Sequence, residues 1–214
     1  MEIVYLKETT STHKVLVEKI LNEEFKPPIA LVADRQVAGV GSKDNTWIGY
    51  EGNLFLSFCV RLDSLPKDLP KQSMSIYFSY ILKEVLAQMG SKLFLKWPND
   101  FYIGDKKIGG TITKVLKDEF VICSIGLNIK NAPKDFEIID IKIDKISLIK
   151  SFILKLKQDI FWKNIFSKYQ VEFSKSRHFL YYDETLKKKV SLKDAKLQKD
   201  GAIVLNNREV YSLR

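Results

Sequence analysis

The apolar positions of this chain change period several times. "EIVYL" is a short strand-like run, and Thr10 or Ser11 behind it stands where a helix N-cap belongs. "THKVLVEKILNEE" then predicts a helix of about twelve residues with Leu16, Ile20 and Leu21 on one face. Pro27-Pro28 closes that region, and "IALVA" is a second strand. Residues 34–52 are polar and contain glycines, so they predict a long loop of the kind that is usually functional or mobile. "NLFLSFCVRL" is almost continuously apolar, as expected of a strand in the middle of a sheet. "LPKQSMSIYFSYILKEVLAQMG" is an amphipathic helix that stops at Gly90.

"KLFLKW" and "DFYIG" then lead to a turn at Gly104-Asp105, and "KIGGTITKVL" and "EFVICSIGLNI" form a hairpin about Lys117-Asp118. Helical spacing returns from 145 to 175, carried by Ile146, Ile149, Ile153, Leu156 and Ile160. The tail changes to short alternating strands with turns at Asp200-Gly201 and Asn206-Asn207. The pattern therefore predicts an α+β fold. Residues 1–175 form a mixed β-sheet flanked by helices, and residues 176–214 form a small separate β unit. The polar loop and the hairpins at 96–128 lie near strand ends, where a ligand cleft could form.

Composition narrows the class. The chain has 214 residues, 45% hydrophobic and 29% charged, which suits one good core and excludes disorder. No run approaches the roughly 18 apolar residues of a membrane span, and the N-terminus has no secretory or transit pattern, so a cytoplasmic protein is expected. The two cysteines, Cys59 and Cys123, sit in apolar runs without a CxxC or histidine partner. Buried thiols are expected there in preference to a disulfide or a metal site. The net charge of +9 is uneven: residues 1–141 hold 18 basic and 18 acidic side chains, residues 142–200 hold 15 and 7. That excess could steer an acidic partner, or it could be a solvated helix face.

The candidate chemistry is concentrated in "KWPNDFYIGDKKIGG", residues 96–110. Pro98 cannot donate to a strand ladder, so the chain must turn and present Asn99 and Asp100. An asparagine amide can read a base or a sugar, and an aspartate can hold Mg²⁺. Lys96 and Lys107 can neutralise phosphate, and Gly109-Gly110 permits close approach to the backbone. The same composition also describes a solvated turn, and the stretch alone does not separate the two.

The ordered set does. "STHK" after a first strand, "DRQVAGVGSKDNTW", "LFLSFCVRL", "KWPND", "KKIGG" and "SIGLNI" together resemble the biotin protein ligases. The resemblance implies a catalytic domain like that of class II aminoacyl-tRNA synthetases and biotin synthetases, with an SH3-like C-terminal unit. It implies two steps: ATP and biotin give biotinyl-5′-adenylate, and a lysine of a biotin carboxyl carrier protein then takes the biotin. Ser11, Thr12 and Gln36 should meet the biotin head group, His13 should also belong to the biotin site, and Gly39, Val40, Gly41 and Ser42 should fold over biotin and the adenylate. Gly109, Ser124 and Gly126 should give it close backbone approach. Lys107 should be the catalytic cation at the carboxylate and α-phosphate, with Lys96, Asn99 and Asp100 handling phosphates and Mg²⁺. Lys43, Trp47 and Asn128 should serve the adenylate, with Asn128 reading adenine. Each has a plainer reading beside it: Ser11 an N-cap, Trp47 a core aromatic, Gln36 an ordinary loop residue, Gly126 and Asn128 a strand end.

The chain departs from the family pattern at several positions. Many members carry G-R-G-R-R-G-R in the adenylate loop, where this chain has "GVGSKDN", so Val40 and Ser42 replace two arginines and Lys43 is the remaining cation. Weaker retention of the adenylate is the expected consequence. His13 replaces a usual asparagine and Ser124 a usual glycine. The C-terminal unit lacks the usual glycine pair before its last strand, so its part in carrier docking or ATP binding stays open. Larger relatives add an N-terminal winged helix-turn-helix. This chain begins at the first catalytic strand, so no sequence-specific DNA binding is expected, and the chain should be a monomer or a homodimer. The residues leave two alternatives: a lipoate or octanoyl ligase of the same fold, and a non-catalytic basic binding module.

Overall fold

The computed structural model describes residues 1–41, 45–183 and 185–211. The first half runs β1 (Glu2–Thr9), α1 (Thr12–Leu21), β2 (Ile29–Val40), β3 (Thr46–Gly49), β4 (Leu54–Arg61), α2 (Met74–Gln88), β5 (Phe94–Lys96) and β6 (Asp100–Ile103). There follow β7 (Lys106–Leu116), β8 (Phe120–Leu127), α3 (Lys145–Leu156) and α4 (Trp162–Glu172). The tail holds β9 (Leu180–Asp183), β10 (Lys188–Ser191), β11 (Lys196–Leu197), β12 (Ile203–Leu205) and β13 (Arg208–Val210). Among the described residues, one mixed sheet has the order β1-β2-β4-β8-β7-β6-β5, with β3 beside β2. β1 and β2 are parallel, joined through α1, and the other neighbours are antiparallel. β9–β10 and β11–β13 make two small antiparallel sheets. This is the α+β architecture that the pattern predicts.

Helices cover both faces of the sheet. α1 packs Leu16 and Ile20 against Ile29, Leu31, Cys59 and Ile122. The opposite face carries the larger core, in which α2, α3 and α4 meet Leu54, Leu56, Phe58 and Cys123. β4 is paired along its length with β8 and, over Phe55–Cys59, with β2. It is buried on both faces, which explains its near-continuous apolar sequence. Cys59 and Cys123 are both free and buried. They belong to different clusters on the two sides of the sheet. No helix among the described residues is long and apolar enough to cross a membrane.

Three expectations change. The segment 34–52 is for the most part not a loop. β2 continues to Val40 and β3 returns beside it. Glycines make this hairpin tight: a Cβ on Gly39 would lie 2.5 Å from the Trp47 carbonyl, and one on Gly49 would lie 2.2 Å from that of Gln36. Glycine content was therefore a sign of close strand approach rather than of irregular chain. Leu21 is 43% exposed, because α1 ends there and the residue lies about 100° round from Ile20. Helical spacing over 145–175 belongs to two helices, with Ile160 in the break and Ile146 exposed. Asp68 caps α4 from across the fold, accepting from the Trp162 and Lys163 amides at 3.0 Å each.

The C-terminal sheets are tied to the rest by specific bonds. Trp97 Nε1 donates to the Gly201 carbonyl and Trp162 Nε1 to that of Lys199, both at 2.9 Å. Leu192, Ala195, Ile203 and Leu205 share the larger core with the helices. Gly201 has φ +80°, and a Cβ there would lie 2.9 Å from Ile76 Cδ1 and Ser73 Oγ. Gly201→Ala is therefore expected to cost about 2 kcal/mol. Urea denaturation of the variant measures this, and an unchanged midpoint would show that a side chain is accommodated at position 201.

Candidate active site

The cleft forms where β2, β3, β7 and β8 meet the start of α1. It is a concave, partly open cleft lined by both polar and apolar groups, the kind of place where small-molecule sites form. The turn into α1 supplies Ser11, Thr12 and His13, and the β2 end supplies Gln36, Val40 and Gly41. Trp47 comes from β3, Asn99 and Asp100 from the β5–β6 hairpin, Lys107 from β7, and Ser124 and Gly126 from β8. Residues spread over more than a hundred positions thus line one cavity.

Gly39 and Gly109 lie outside this lining. A Cβ on Gly109 would meet the Gly126 carbonyl at 2.6 Å, so its space belongs to the sheet. Lys96 and Asn128 also stand apart from the main cleft. Asn128 instead lines a second cavity with Trp47, Pro133 and Phe136. Trp47 borders both cavities, and its ring meets Phe136 edge-on at 6.1 Å. Ser42 and Lys43 lie outside the described residues.

One wall of the cleft is a hydrogen-bonded chain. Gln36 Oε1 accepts from the Thr12 amide at 2.7 Å and from Thr12 Oγ1 at 3.0 Å. Ser57 Oγ is 2.8 Å from Thr12 Oγ1 and 2.8 Å from Ser124 Oγ. Ser124 Oγ in turn is 2.8 Å from His13 Nδ1. Ser11 is also the N-cap of α1, accepting from the Lys14 amide. The cap and cavity-lining readings of Ser11 are thus compatible.

The other charged feature is centred on Asp100. Lys107 Nζ lies 2.7 Å from Asp100 Oδ1, and Lys96 Nζ lies 3.8 Å from Oδ2. Lys107 also stands over the Trp47 ring at 5.9 Å, and Lys96 over Tyr102 and Phe179 at 5.5 and 5.8 Å. The short pairing at 96–100 follows from Pro98, since β5 ends at Lys96 and β6 begins at Asp100. Asn99 is buried and donates its side-chain amide to the Thr111 carbonyl.

This donor set does not fit a protein-held magnesium ion. Among the described residues no three acidic, histidine or cysteine side chains converge, and Asp100, the carboxylate lining the cleft, faces two ammonium groups. Asp100, for which a metal role is expected, is held in an ion pair with Lys107 here.

Two contributors were not expected from the sequence. Ser57 is fully buried at the middle of the hydrogen-bonded wall. Its sequence signal is a lone hydroxyl inside "LFLSFCV". Asn53 Oδ1 accepts from the Ile129, Lys130 and Asn131 amides at 2.9, 3.0 and 3.2 Å. It holds the chain leaving β8 and so fixes Asn128. Asn53 carries no such sequence signal.

Residues 5–129 match the Biotin/lipoate A/B protein ligase family. The chain belongs to this family. It is 38% identical to the biotin acetyl coenzyme A carboxylase synthetase of Helicobacter pylori, whose crystal structure holds biotinylated ATP. That match covers 98% of this chain and 99% of the other, with a TM-score of 0.92. The bifunctional ligase/repressor BirA of Bacillus subtilis is 30% identical over 169 residues, 71% of this chain and 51% of BirA. The chain thus spans about half the length of that curated relative. Biotin protein ligase from Aquifex aeolicus, in complex with biotin and ATP, shares the fold at 22% identity and a TM-score of 0.71, covering 100% of this chain and 96% of that one.

The wall has a titration consequence. Burial first, then the Lys114 and Lys14 charges, push the His13 imidazole down from 6.5 to about 4. Between those values an unfolded chain binds a proton that the folded chain does not. The His13 contribution is therefore complete above pH 6.5 and is lost as pH falls toward 4. It amounts to on the order of 3 kcal/mol. Urea titrations from pH 6.5 to 4 should show a smaller loss for His13→Asn than for the parent, and parallel curves would contradict the assignment.

Proposed function

We propose that the chain is an ATP-dependent biotin protein ligase. The observation that carries this reading is a single cleft lined by both the polar wall of Ser11, Thr12 and Gln36 and the Lys107–Asp100 pair. The extent of the likeness to the Helicobacter synthetase supports it. In the first step a biotin carboxylate oxygen attacks the α-phosphorus of ATP, and pyrophosphate leaves. In the second, a carrier lysine amine attacks the acyl carbon, AMP leaves, and an amide forms.

The residues have separate tasks in this reading. Carboxylate and triphosphate repel one another, and Lys107 supplies the positive charge where they must meet. Asp100 holds that ammonium in place. Thr12 and Gln36 orient the head group at the wall. Trp47, Phe136 and Asn128 offer a largely apolar second cavity with an amide, suited to an adenine ring. Magnesium enters with ATP as its counter-ion, not on a site built from this chain. The carrier partner is a biotin carboxyl carrier protein, and the basic excess over residues 142–200 would speed encounter with an acidic one.

The test is incubation with ATP, Mg²⁺, biotin and a carrier domain, followed by intact-mass measurement of the carrier. One added biotinyl group is expected. Lys107→Ala should lower adenylation at least about 100-fold, the scale of losing one transition-state charge contact. Pyrophosphate release that depends on lipoate and not on biotin would overturn the reading.

A further inference from the structure

Two of the departures from the family pattern, His13 and Ser124, are in contact with each other. We propose that His13 is a specificity residue of the head-group wall, protonated at Nδ1 by a one-directional relay of hydroxyls and offering Nε2 as the acceptor for a ligand N–H. This deepens the ligase reading and rests on it.

The direction of the relay follows from counting protons. The Thr12 amide is an obligatory donor, so the Gln36 atom 2.7 Å away is the oxygen and not the amide nitrogen. That oxygen has no proton to give. The 3.0 Å contact between Thr12 Oγ1 and Gln36 Oε1 is attractive only with the Thr12 proton between them. Thr12 must then accept from Ser57. Ser57 has one proton, so its contact with Ser124 is filled by the Ser124 proton. Ser124 now has none left, and the contact with His13 is filled by an Nδ1–H.

The four contacts and four protons match one to one only in this order. Reversing it leaves two lone-pair oxygens facing each other at 3.0 Å, which costs as an unmade buried hydrogen bond does. A neutral ring protonated at Nδ1 carries a lone pair on Nε2. Burial and the Lys114 and Lys14 charges keep the ring neutral. His13 and Gln36 both line the cleft, so the wall offers a ring-nitrogen acceptor and, from the far side of the Gln36 amide, N–H donors. A ligand with adjacent N–H and C=O groups, such as a cyclic urea, matches both.

The chain has two histidines, His13 and His178, which makes the tautomer readable. Imidazole ¹⁵N spectra are assigned with His178→Gln, since His178 is exposed and outside the cleft. The expected parent spectrum has Nδ1 protonated, and biotin should shift the unprotonated Nε2 as it accepts a bond. Ser57→Ala frees the Ser124 proton to point at His13. The tautomer should then switch to Nε2–H, and KM for biotin should rise about tenfold with a smaller change in kcat.

An Nε2–H tautomer in the parent, or an unchanged tautomer in Ser57→Ala, would overturn the relay. Should that variant fail to fold, a double-mutant cycle decides between the outcomes. The rise in KM for His13→Asn and Ser124→Gly combined should fall well below the product of the single effects, and additivity would overturn the pairing. A parent with no biotin-dependent pyrophosphate release would overturn the ligase reading, while the spectra would still decide the relay.

Discussion

The central strand β4 sets the constraint from which the site follows. It is paired with β2 and β8 and buried on both faces. A polar side chain in such a strand has no water to turn to, so its partners must come from neighbouring elements. Ser57 is that side chain. Its hydroxyl ties the start of α1, through Thr12, to β8, through Ser124. Thr12 then takes Gln36 on β2. One buried hydroxyl therefore fixes the relative placement of three elements, and the cleft wall is the set of groups it holds together. In the ligase reading recognition and folding share the same bonds, so the wall is preorganised before anything binds.

The charged side of the cleft works by a different rule. Two lysines and one carboxylate share a short hairpin and the strand beside it, and Asp100 lies within ion-pair distance of both ammonium groups. The Lys107 side chain is 24% exposed and that of Lys96 is 11% exposed, so screening by water is incomplete. An ammonium pinned at 2.7 Å by a carboxylate is held in position while keeping donors to spare. In the ligase reading that is what bringing two anions together requires: a cation whose location is set beforehand. On the same reading, with Val40 and Ser42 at positions where the family resemblance leads one to expect arginines, this hairpin would bear a larger share of the positive charge.

Legibility in the sequence followed how local each cause is. β1, β4, β7 and β8 are legible because their apolar runs and flanking turns are contiguous. The hairpin at 96–100 is legible because Pro98 forces it. β3 and the far half of β2 are not legible, since their pairing depends on Gly39 and Gly49 meeting carbonyls across the hairpin. The break between α3 and α4 is hidden for a similar reason, as Asp68 caps α4 from 94 residues away. In the site, many residues of the ordered motifs line one cleft, while Gly39, Lys96, Gly109 and Asn128 do not. Gly109 shows the limit of reading residue by residue: its freedom from a side chain serves the Gly126 carbonyl in the sheet. Gly126 in turn leaves room for the Trp47 ring, whose Cε2 would lie 2.7 Å from a Cβ there.

His13 and Ser124 carry that limit further. Taken singly, each is a loss relative to the family pattern: an asparagine amide gives way to an imidazole, and a glycine gains a hydroxyl that must be satisfied in a buried wall. Taken together they close a hydrogen bond of 2.8 Å and extend a chain of polar groups that begins at Gln36. A hydroxyl at position 124 without a donor at position 13 would leave the chain of protons one short. An imidazole at position 13 without that hydroxyl would have no partner to set its tautomer. The physical unit in this wall is the ordered set of donors and acceptors, and a departure at one position is interpretable only with the group it faces.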